Sequence, residues 1–321
     1  MKQKFFIGID VGGTKISAGL LTSGGKILQR SKVSTPQKAS CHDVASTIEQ
    51  LINVLLQKAK INKKNIGGIG LGIPGIVDIS KGRIINTPNM QLAGNKLVDL
   101  LRKSFHCRLK IGNDVNLGLL GEQWRGVAKG KKNVIGVFVG TGLGGAILVE
   151  EKLFSGWQHA AGEIGHMIMD LNGPRCSCGN RGCLESLSSR WAIERDILSE
   201  LEDGRKSVIK KFIKKGAKKI KSKMLRKALK KHDKLVEEVL SDASVTLGKA
   251  CISLRHIFDP EMIVFGGGVI EACANFMLPI IRRTIKKDPF FAKLKSCQIV
   301  KASLGDDAII IGACSLVVHN H

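Results

Sequence analysis

Two glycine-rich turns, each set between apolar runs rich in β-branched residues, constrain the fold of this chain more than any other feature. The first, Gly12-Gly13, follows a predicted strand at residues 5–10 and precedes another at residues 16–21. The same pattern returns at residues 133–149, where a second glycine-rich turn occupies residues 140–145. Apolar residues at helical spacing lie between the two copies. The sequence therefore predicts an α/β fold built on an internal duplication.

Length and composition indicate a globular protein of two domains. The chain has 321 residues, of which 43% are hydrophobic, and one domain takes roughly 100–200 residues. The apolar run at residues 308–318 is shorter than the ~20 residues of a spanning helix, and the first residues lack a secretory signal. The nine cysteines do not indicate a disulfide framework in a chain of this length. These features predict a soluble cytoplasmic protein without a membrane span.

Positive charge is concentrated in one stretch of the chain. Residues 205–234 carry a formal charge of +14, out of +24 for the whole chain. Apolar residues recur there at helical steps from Val208 to Leu229, which predicts an amphipathic helix with a cationic face. Such a face is typical of binding to nucleic acid or anionic membrane, or of a solvated surface packed on the core. Aromatic residues are only 4% of the chain, which favours the solvated surface and argues against a nucleic-acid partner.

Both glycine turns can present backbone N–H groups to an anion without obstruction from side chains. Thr14, Lys15 and Thr141 lie in or beside them, which suits a polyphosphate, although two ordinary hairpins would give the same pattern. A Walker phosphate loop is absent. Residues 140–145 formally match a dinucleotide fingerprint, but a predicted strand follows them where that motif requires a helix.

One aspartate stands where an apolar strand meets a helix. Residues 111–116 read Ile-Gly-Asn-Asp-Val-Asn, so Asp114 lies at this junction. Asp and Asn are favoured at such positions as helix N-caps. A carboxylate at a strand end is equally suited to accept a proton from a substrate hydroxyl. The residues alone leave both roles open.

A cluster of metal-ligand residues follows the second turn. His166 precedes Cys176, Cys178 and Cys183 on a glycine-rich stretch of low apolar content. Three thiolates and one imidazole complete a tetrahedral set for Zn²⁺, and a closed set of this kind is normally structural. Three free thiols are the alternative, but a stretch so poor in apolar residues needs another source of order.

Taken together, these motifs resemble those of the ROK family (repressors, open reading frames and sugar kinases) of the actin-like ATPase superfamily. Residues 10–15, Asp-Val-Gly-Gly-Thr-Lys, resemble its first phosphate motif, and residues 140–145 resemble its second. Residues 263–268, Ile-Val-Phe-Gly-Gly-Gly, resemble its adenosine motif, and residues 176–185 match its zinc motif. The resemblance implies an α/β fold of two actin-like (ribonuclease H-like) domains with an interdomain cleft and a zinc-bound loop. It places residues 1–116 and 303–321 in a small domain and 117–302 in a large one, with the zinc loop at about 163–185.

The resemblance also implies an activity. It is the ATP-dependent phosphorylation of a hexose at its 6-hydroxyl group, most commonly glucose in this family, by a cytoplasmic homodimer that uses Mg²⁺. The residues implied for the nucleotide are Asp10, Gly12, Gly13, Thr14, Lys15, Gly140, Thr141, Gly142, Gly144, Gly266, Gly267 and Gly268. Asp114 corresponds to the catalytic base, and Asp10 would help to place Mg²⁺. The residues implied for the sugar are Asn113, Asp114, Glu163, His166 and Glu185.

Other sugar substrates and two other classes of function remain open. N-acetylmannosamine, N-acetylglucosamine and fructose kinases of the family share the same framework, and pocket shape distinguishes them. ROK repressors carry a helix-turn-helix segment ahead of the first phosphate motif, and only nine residues precede Asp10 here, which favours a kinase. The other class is a non-catalytic sugar-sensing protein that binds a polyanion through residues 205–234.

Overall fold

The computed structural model describes residues 4–36, 40–87, 90, 92–213 and 219–319. They form two compact units. The first consists of Met1–Gly130, Lys152–Ala161 and Ser303–His321, and the second of Lys131–Glu151 and Gly162–Ala302.

Strands are mixed with helices along the described residues, as the sequence predicts. The strands are β1 (Phe5–Val11), β2 (Lys15–Thr22), β3 (Ile27–Ser34), β4 (Ile66–Ile73), β5 (Ile76–Asp78), β6 (Arg83–Asn86), β7 (Arg108–Asn113), β8 (Val134–Val139), β9 (Leu143–Val149), β10 (Lys152–Leu153), β11 (Met262–Gly266) and β12 (Gln298–Lys301). The α-helices are α1 (Cys41–Ala59), α2 (Lys96–Ser104), α3 (Asp114–Arg125), α4 (Leu184–Ser188), α5 (Arg190–Glu202), α6 (Ser222–Leu229), α7 (Lys234–Phe258), α8 (Gly268–Lys286) and α9 (Ala308–Val318).

The main sheet of the first unit has the strand order β3-β2-β1-β4-β7. β1 pairs with β2 in antiparallel fashion and with β4 in parallel, and β4 pairs with β7 in parallel. The carboxyl ends of β1, β4 and β7 therefore meet at one edge of the sheet. In register, Asp10 stands beside Gly72, and Gly72 stands beside Gly112. This arrangement brings the end of β1 and the start of α3 to the same edge.

Helix α9 packs directly on the backbone of this sheet. A Cβ atom on Gly8 of β1 would lie 1.9 Å from the carbonyl oxygen of Ile310, and one on Gly70 of β4 would lie 1.8 Å from that of Ala313. Glycine at both strand positions is what allows the helix to approach so closely. α9 is buried along almost its whole length but has only 11 residues. Among helices in the described ranges, none has both the length and the apolar character required to cross a lipid bilayer.

The second unit repeats the plan of the first. Its strands run in the order β9-β8-β11-β12, with β8 antiparallel to β9 and β11 parallel to both β8 and β12. The predicted duplication is thus present in the strand order of the two sheets. The glycine turn after β8 leads into an antiparallel strand and not into a helix, so the dinucleotide-binding interpretation of residues 140–145 is wrong.

The lysine-rich stretch is not one amphipathic helix. The structure forms a short 3₁₀ helix at Val208–Phe212 and then α6, and residues 214–218, including Gly216 and Ala217 of the predicted pattern, lie outside the described residues. The side chains of Ile209, Ile220, Leu225 and Ala228 enter the core of the second unit. The lysines described around them are exposed. The expectation of a solvated cationic surface packed on the core therefore holds for the described part.

The first unit extends further along the chain than the predicted boundary after residue 116. That boundary falls inside α3, which packs against α9, so the whole helix belongs to the first unit. The fully buried carboxylate of Glu122 fixes this pairing. It accepts hydrogen bonds from the backbone N–H groups of Val127 (3.0 Å), Ser303 (2.8 Å) and Leu304 (2.8 Å).

Candidate active site

Two carboxylates meet at the edge of the first sheet. Asp10 is the next-to-last residue of β1, and Asp114 is the first residue of α3, directly after β7. Burial and the negative charge of Asp114 raise the pKa of Asp10 to about 7, against the opposing charge of Lys15. The exposed carboxylate of Asp306 adds to this effect. A carboxylate pair of this kind is suited to hold a proton or a cation near neutral pH.

Asn113, not Asp114, is the N-cap of α3. Its Oδ1 accepts from the N–H of Asn116 at 2.9 Å, and its Nδ2 donates to the carbonyl oxygen of Gly75 at 2.8 Å. The Oδ1 atom of Asp114 accepts from the N–H of Val115 at 2.9 Å. The capping role that the sequence left open for Asp114 is therefore taken by its neighbour. The positive end of the helix dipole stabilises negative charge on Asp114.

The first glycine turn is exposed on its outer side, at Gly13, Thr14 and Lys15. The N–H of Gly12 donates to the carbonyl oxygen of Lys15 at 3.0 Å. Thr35 secures the turn from behind, since its hydroxyl donates to Gly12 O at 2.5 Å and its N–H to Thr14 O at 3.1 Å. These bonds occupy the N–H of Gly12 but leave the outer face of the turn, at Gly13 and Thr14, accessible, as an anion site requires.

The second glycine turn is held by a carboxylate. The N–H of Gly140 donates to the oxygen of Gly142 at 2.9 Å, and the N–H of Leu143 donates to Oε2 of Glu185 at 2.9 Å. A Cβ atom on Gly142 would lie 2.4 Å from that same oxygen. A side chain at this position would displace the Glu185 carboxylate from its bond to Leu143, so glycine leaves room for that bond.

Arg190 is a residue of this region that sequence reasoning missed. Its NH2 group donates to Oγ1 of Thr141 at 2.6 Å, and its NH1 group donates to the carbonyl oxygen of Ile220 at 3.3 Å. Its backbone N–H donates to Gly140 O at 3.1 Å. The N–H of Ile220 in turn donates to Oε2 of Glu194 at 2.6 Å. Arg190 therefore joins the second turn to the segment before α6; no motif marks it, and only its place soon after Glu185 hints at this role.

The predicted adenosine motif joins β11 to α8 at the same sheet edge as the second turn. Gly266 pairs with Phe138 of β8, and Gly267 is the N-cap of α8 at a φ of 84°. A Cβ atom on Gly267 would lie 2.6 Å from Val139 O, so this glycine is required by packing. At Gly268 a Cβ atom would meet only Oγ of Ser222, at 3.7 Å. The N-terminus of a 19-residue helix is thus placed beside the turn, where it favours an anion.

The four predicted metal ligands are brought together in the second unit. One ligand atom from each of His166, Cys176, Cys178 and Cys183 lies within 4.8 Å of the others. Cys176 Sγ is 3.7 Å from His166 Nδ1, and the Sγ atoms of Cys178 and Cys183 are 3.6 Å apart. Bond lengths of about 2.3 Å for Zn–S and 2.0 Å for Zn–N give separations of this size around one tetrahedral ion. The donor set and its spacing fit Zn²⁺.

The residues predicted to bind a sugar are divided between the two units. Asn113 and Asp114 belong to the first, and Glu163, His166 and Glu185 belong to the second. Glu163 is exposed and precedes a short 3₁₀ helix that ends at His166. Oε1 of Glu185 accepts from the hydroxyl of Ser177 at 3.2 Å while its Oε2 holds the second turn. One carboxylate therefore connects the Cys/His loop to the glycine turn.

Comparison with known proteins assigns the chain to a family. The model of the ROK family matches residues 6–320. The chain belongs to the ROK family. It is 30% identical over 318 residues to a glucokinase of Halalkalibacterium halodurans, covering 99% of this chain and 96% of that protein. It is 29% identical to the xylose repressor of Caldicellulosiruptor bescii, covering 97% of this chain and 77% of the repressor.

A solved structure confirms the predicted fold class. The crystal structure of a ROK glucokinase from Streptomyces griseus, in complex with glucose and AMPPNP, matches with a TM-score of 0.82 and 27% identity. The match covers 97% of this chain and 98% of that protein. The glucokinase relatives support a sugar kinase, and the repressor relatives are also compatible with a non-catalytic regulator.

Proposed function

We propose that this protein is an ATP-dependent sugar kinase that transfers the γ-phosphoryl group of MgATP to the 6-hydroxyl of a hexose, with glucose as the first choice. The observation that carries the proposal is the pair Asp10 and Asp114 at the carboxyl edge of the first sheet, beside an exposed glycine turn. The similarity to a glucokinase and to a ROK structure with bound glucose and AMPPNP supports the substrate choice.

Asp114 acts as the general base in this proposal. Phosphoryl transfer needs positioning and charge stabilisation more than covalent chemistry from the protein. A carboxylate about 3 Å from the 6-hydroxyl accepts its proton as the oxygen attacks phosphorus. The N-terminus of α3 holds this carboxylate in position, since Val115 N–H binds one of its oxygens, and the helix dipole favours negative charge there. Asn113 keeps one amide hydrogen beyond its bond to Gly75, and this hydrogen would hold a neighbouring hydroxyl group.

Asp10 would hold Mg²⁺, most simply through a water molecule, because Mg²⁺ retains several of its waters in proteins. The residues present fit the ion, since burial and then the negative charge of Asp114 raise the pKa of Asp10, and a bound cation would offset both effects. When bound, Mg²⁺ neutralises charge on the phosphates. Thr14, Lys15 and the backbone of residues 12–13 would bind phosphate oxygens on the first unit. Gly140, Thr141, Gly142 and Gly144, together with residues 266–268, would bind the nucleotide on the second.

Glu163, His166 and Glu185 would bind the sugar hydroxyl groups. His166 offers Nδ1 to the Cys/His cluster, and its Nε2 would serve the sugar, so one side chain would connect both. Zinc, when bound, would give order to a loop that has few apolar residues to hold it. The predicted homodimer and cytoplasmic location stay predictions.

A second candidate is a sugar-sensing regulator without kinase activity. Its support is the similarity to a xylose repressor along 97% of this chain. In such a protein the sugar site would be used for binding alone. The two candidates differ in whether ADP is released.

The test is turnover with a panel of five sugars: glucose, N-acetylmannosamine, N-acetylglucosamine, fructose and allose. ADP release is followed with ATP and Mg²⁺, on protein whose zinc content is first measured by elemental analysis. We expect about one zinc per chain and turnover of glucose far above that of the others. Faster turnover of another sugar would replace glucose as the proposed substrate. Sugar binding without ADP release would replace the kinase by the regulator, and protein without zinc would overturn the zinc proposal.

A further inference from the structure

A cavity in the second unit lies apart from every motif discussed above. Its volume is about 410 Å³, within the ~300–1,000 Å³ of small-molecule sites. The C-terminal ends of α7 and α8, the segment at residues 288–297 and strand β12 line it, and it opens to solvent. Its polar lining includes Arg255, Arg282, Lys286 and Asp288.

The guanidinium of Arg255 is buried without an electrostatic partner in contact with it. The residue is 5% exposed, and its Nε atom is buried without a hydrogen-bond partner. Within the described parts of the chain, the guanidinium makes no hydrogen bond or ion pair. It stacks on the ring of Phe291, with its central carbon 4.1 Å from the ring centroid. Stacking occupies the face of a guanidinium and leaves its in-plane donors for another group.

Asp288 acts on Arg255 only through its charge, since no hydrogen bond or ion pair joins the two side chains in the described parts of the chain. The oxygens of Asp288 accept from Nε2 of His256 at 3.0 Å and from the N–H of Phe290 at 3.1 Å. Burial works against ionisation of this carboxyl, but those hydrogen bonds and the charges of His256 and Arg255 bring its pKa below the ordinary value. Three cations and one carboxylate therefore line the cavity, which leaves a net charge of about +2.

The other two cations are placed on one side of α8. Arg282 is fixed in position, since its Nε and NH2 groups donate to the carbonyl oxygen of Ile299 at 3.0 and 2.7 Å. Lys286 follows one helical turn later. Apolar side chains complete the wall, among them Ile285, Phe291 and Leu294. The arrangement suits a compact dianion attached to a small organic body.

An unpaired buried charge is costly, and folded proteins normally supply it with a counter-charge. We propose that this cavity binds a small phosphate monoester, whose dianionic phosphate group is held by Arg255, Arg282 and Lys286. The site is separate from the proposed kinase chemistry, and its test does not depend on activity.

The test uses the full-length protein with inorganic phosphate and glycerol 3-phosphate as probes, and glycerol as the uncharged control. Binding is measured by isothermal titration calorimetry, and thermal stability by the shift in Tm. The variant R255M removes the buried charge, and R283M is its matched control, because Arg283 is an exposed residue of α8 that does not line the cavity. Phosphate that binds at the glycine turns contributes equally to the titrations of wild type, R255M and R283M.

We expect wild type and R283M to bind one more equivalent of glycerol 3-phosphate than R255M, with affinity at that site lowered by about 50-fold or more in R255M. Without ligand, R255M should be at least as thermostable as wild type, because an uncompensated charge has been removed. Should R255M fail to fold, K286Q tests the rim of the cavity. It should weaken binding about fivefold, while K287Q on the adjacent exposed lysine should not.

Identical titrations for wild type, R255M and K286Q would overturn the proposal. A lower Tm for R255M with an unchanged phosphate response would also overturn it, and would make Arg255 a packing partner of Phe291 alone. Binding of inorganic phosphate without binding of glycerol 3-phosphate would show that the cavity takes an adventitious ion only.

Discussion

The two glycine turns occupy equivalent positions in a duplicated fold, but their surroundings differ. The first is secured by Thr35 from behind and stands beside the carboxylates of Asp10 and Asp114. The second is held by charged side chains, with Glu185 on its backbone and Arg190 on Thr141. The first turn thus adjoins groups suited to chemistry, whereas the second is supported by groups suited to holding a ligand. Both copies thus keep the hairpin, but the side chains around the two turns differ in function.

Replacement of Asp114 by Asn, beside the first turn, should have the largest effect on activity. We expect kcat to fall by about 10²–10⁴-fold, because the base is lost. The Tm should stay close to that of wild type, since Asn113 and not Asp114 caps α3. Steady-state kinetics and thermal unfolding measure both, with D99N on the surface of α2 as the control. Activity above about a tenth of wild type would remove Asp114 from the role of base.

Replacement of Arg190 by Met should affect the second turn without touching the first. We expect the KM for ATP to rise about tenfold, because Thr141 and Ile220 lose their common donor. The KM for the sugar should change little. R190K keeps the charge but not the fork of donors, so its KM for ATP should lie between those of wild type and R190M. R205M serves as an exposed control. An equal rise in both KM values would instead indicate a general loss of structure in the second unit.

The smallest expected effect is a pH dependence that belongs to the first turn. With a pKa of about 7, Asp10 gains a proton as the pH falls from 8 to 6, and only its ionised form holds Mg²⁺. At low Mg²⁺, kcat/KM near pH 7 should be about half of its limiting value at higher pH. The midpoint should move to lower pH as Mg²⁺ is raised. A midpoint that does not respond to Mg²⁺ would show that Asp10 does not hold the metal.

The same raised pKa affects folding stability in the opposite direction: ionisation of Asp10 favours activity but lowers the free energy of unfolding. The folded-state pKa of Asp10 lies above its ordinary value of 3.8, so the folded state binds this proton more tightly than the unfolded state does. Its contribution to stability is fully present below pH 4 and is lost as the pH rises through 7. D10N should therefore gain stability over wild type at pH 8 and not at pH 4, as measured by urea unfolding. Equal gains at both values would argue against a raised pKa.

Local patterns predicted most of the fold. The strands on either side of each turn, helix α1 and the junction at Asp114 follow from apolar spacing and glycine, and all are present. Strand β3 was not predicted, because its side chains are largely exposed and polar, so no alternation marks it. The predicted amphipathic helix fails as one element, because apolar spacing alone does not show that Ile209 and Ile220 enter the core from separate segments.

The candidate site was predictable where a motif is contiguous and not where a contact is distant. The Cys/His cluster lies within 18 residues, and the structure brings all four ligands together. Arg190 and Thr141 are 49 positions apart, and Glu122 and Ser303 are 181 apart. Single-sequence patterns carry no information about such pairs. Local preference also left the cap of α3 open between Asn113 and Asp114, since both residue types suit that position, and the bond from Asn116 N–H to Asn113 decides it.

The close packing of α9 on Gly8 and Gly70 affects the order in which the protein is made. A ribosome adds about 250 residues between Gly70 and the end of this helix, which takes ~10–50 s at about 5–20 residues per second. Throughout that interval one face of the first sheet stays uncovered, while every residue of the second unit emerges before α9 does. The second unit can therefore fold before α9 is made, and the first must wait until α9 has emerged. An apolar sheet is thus exposed throughout that interval, in which chaperones would bind it.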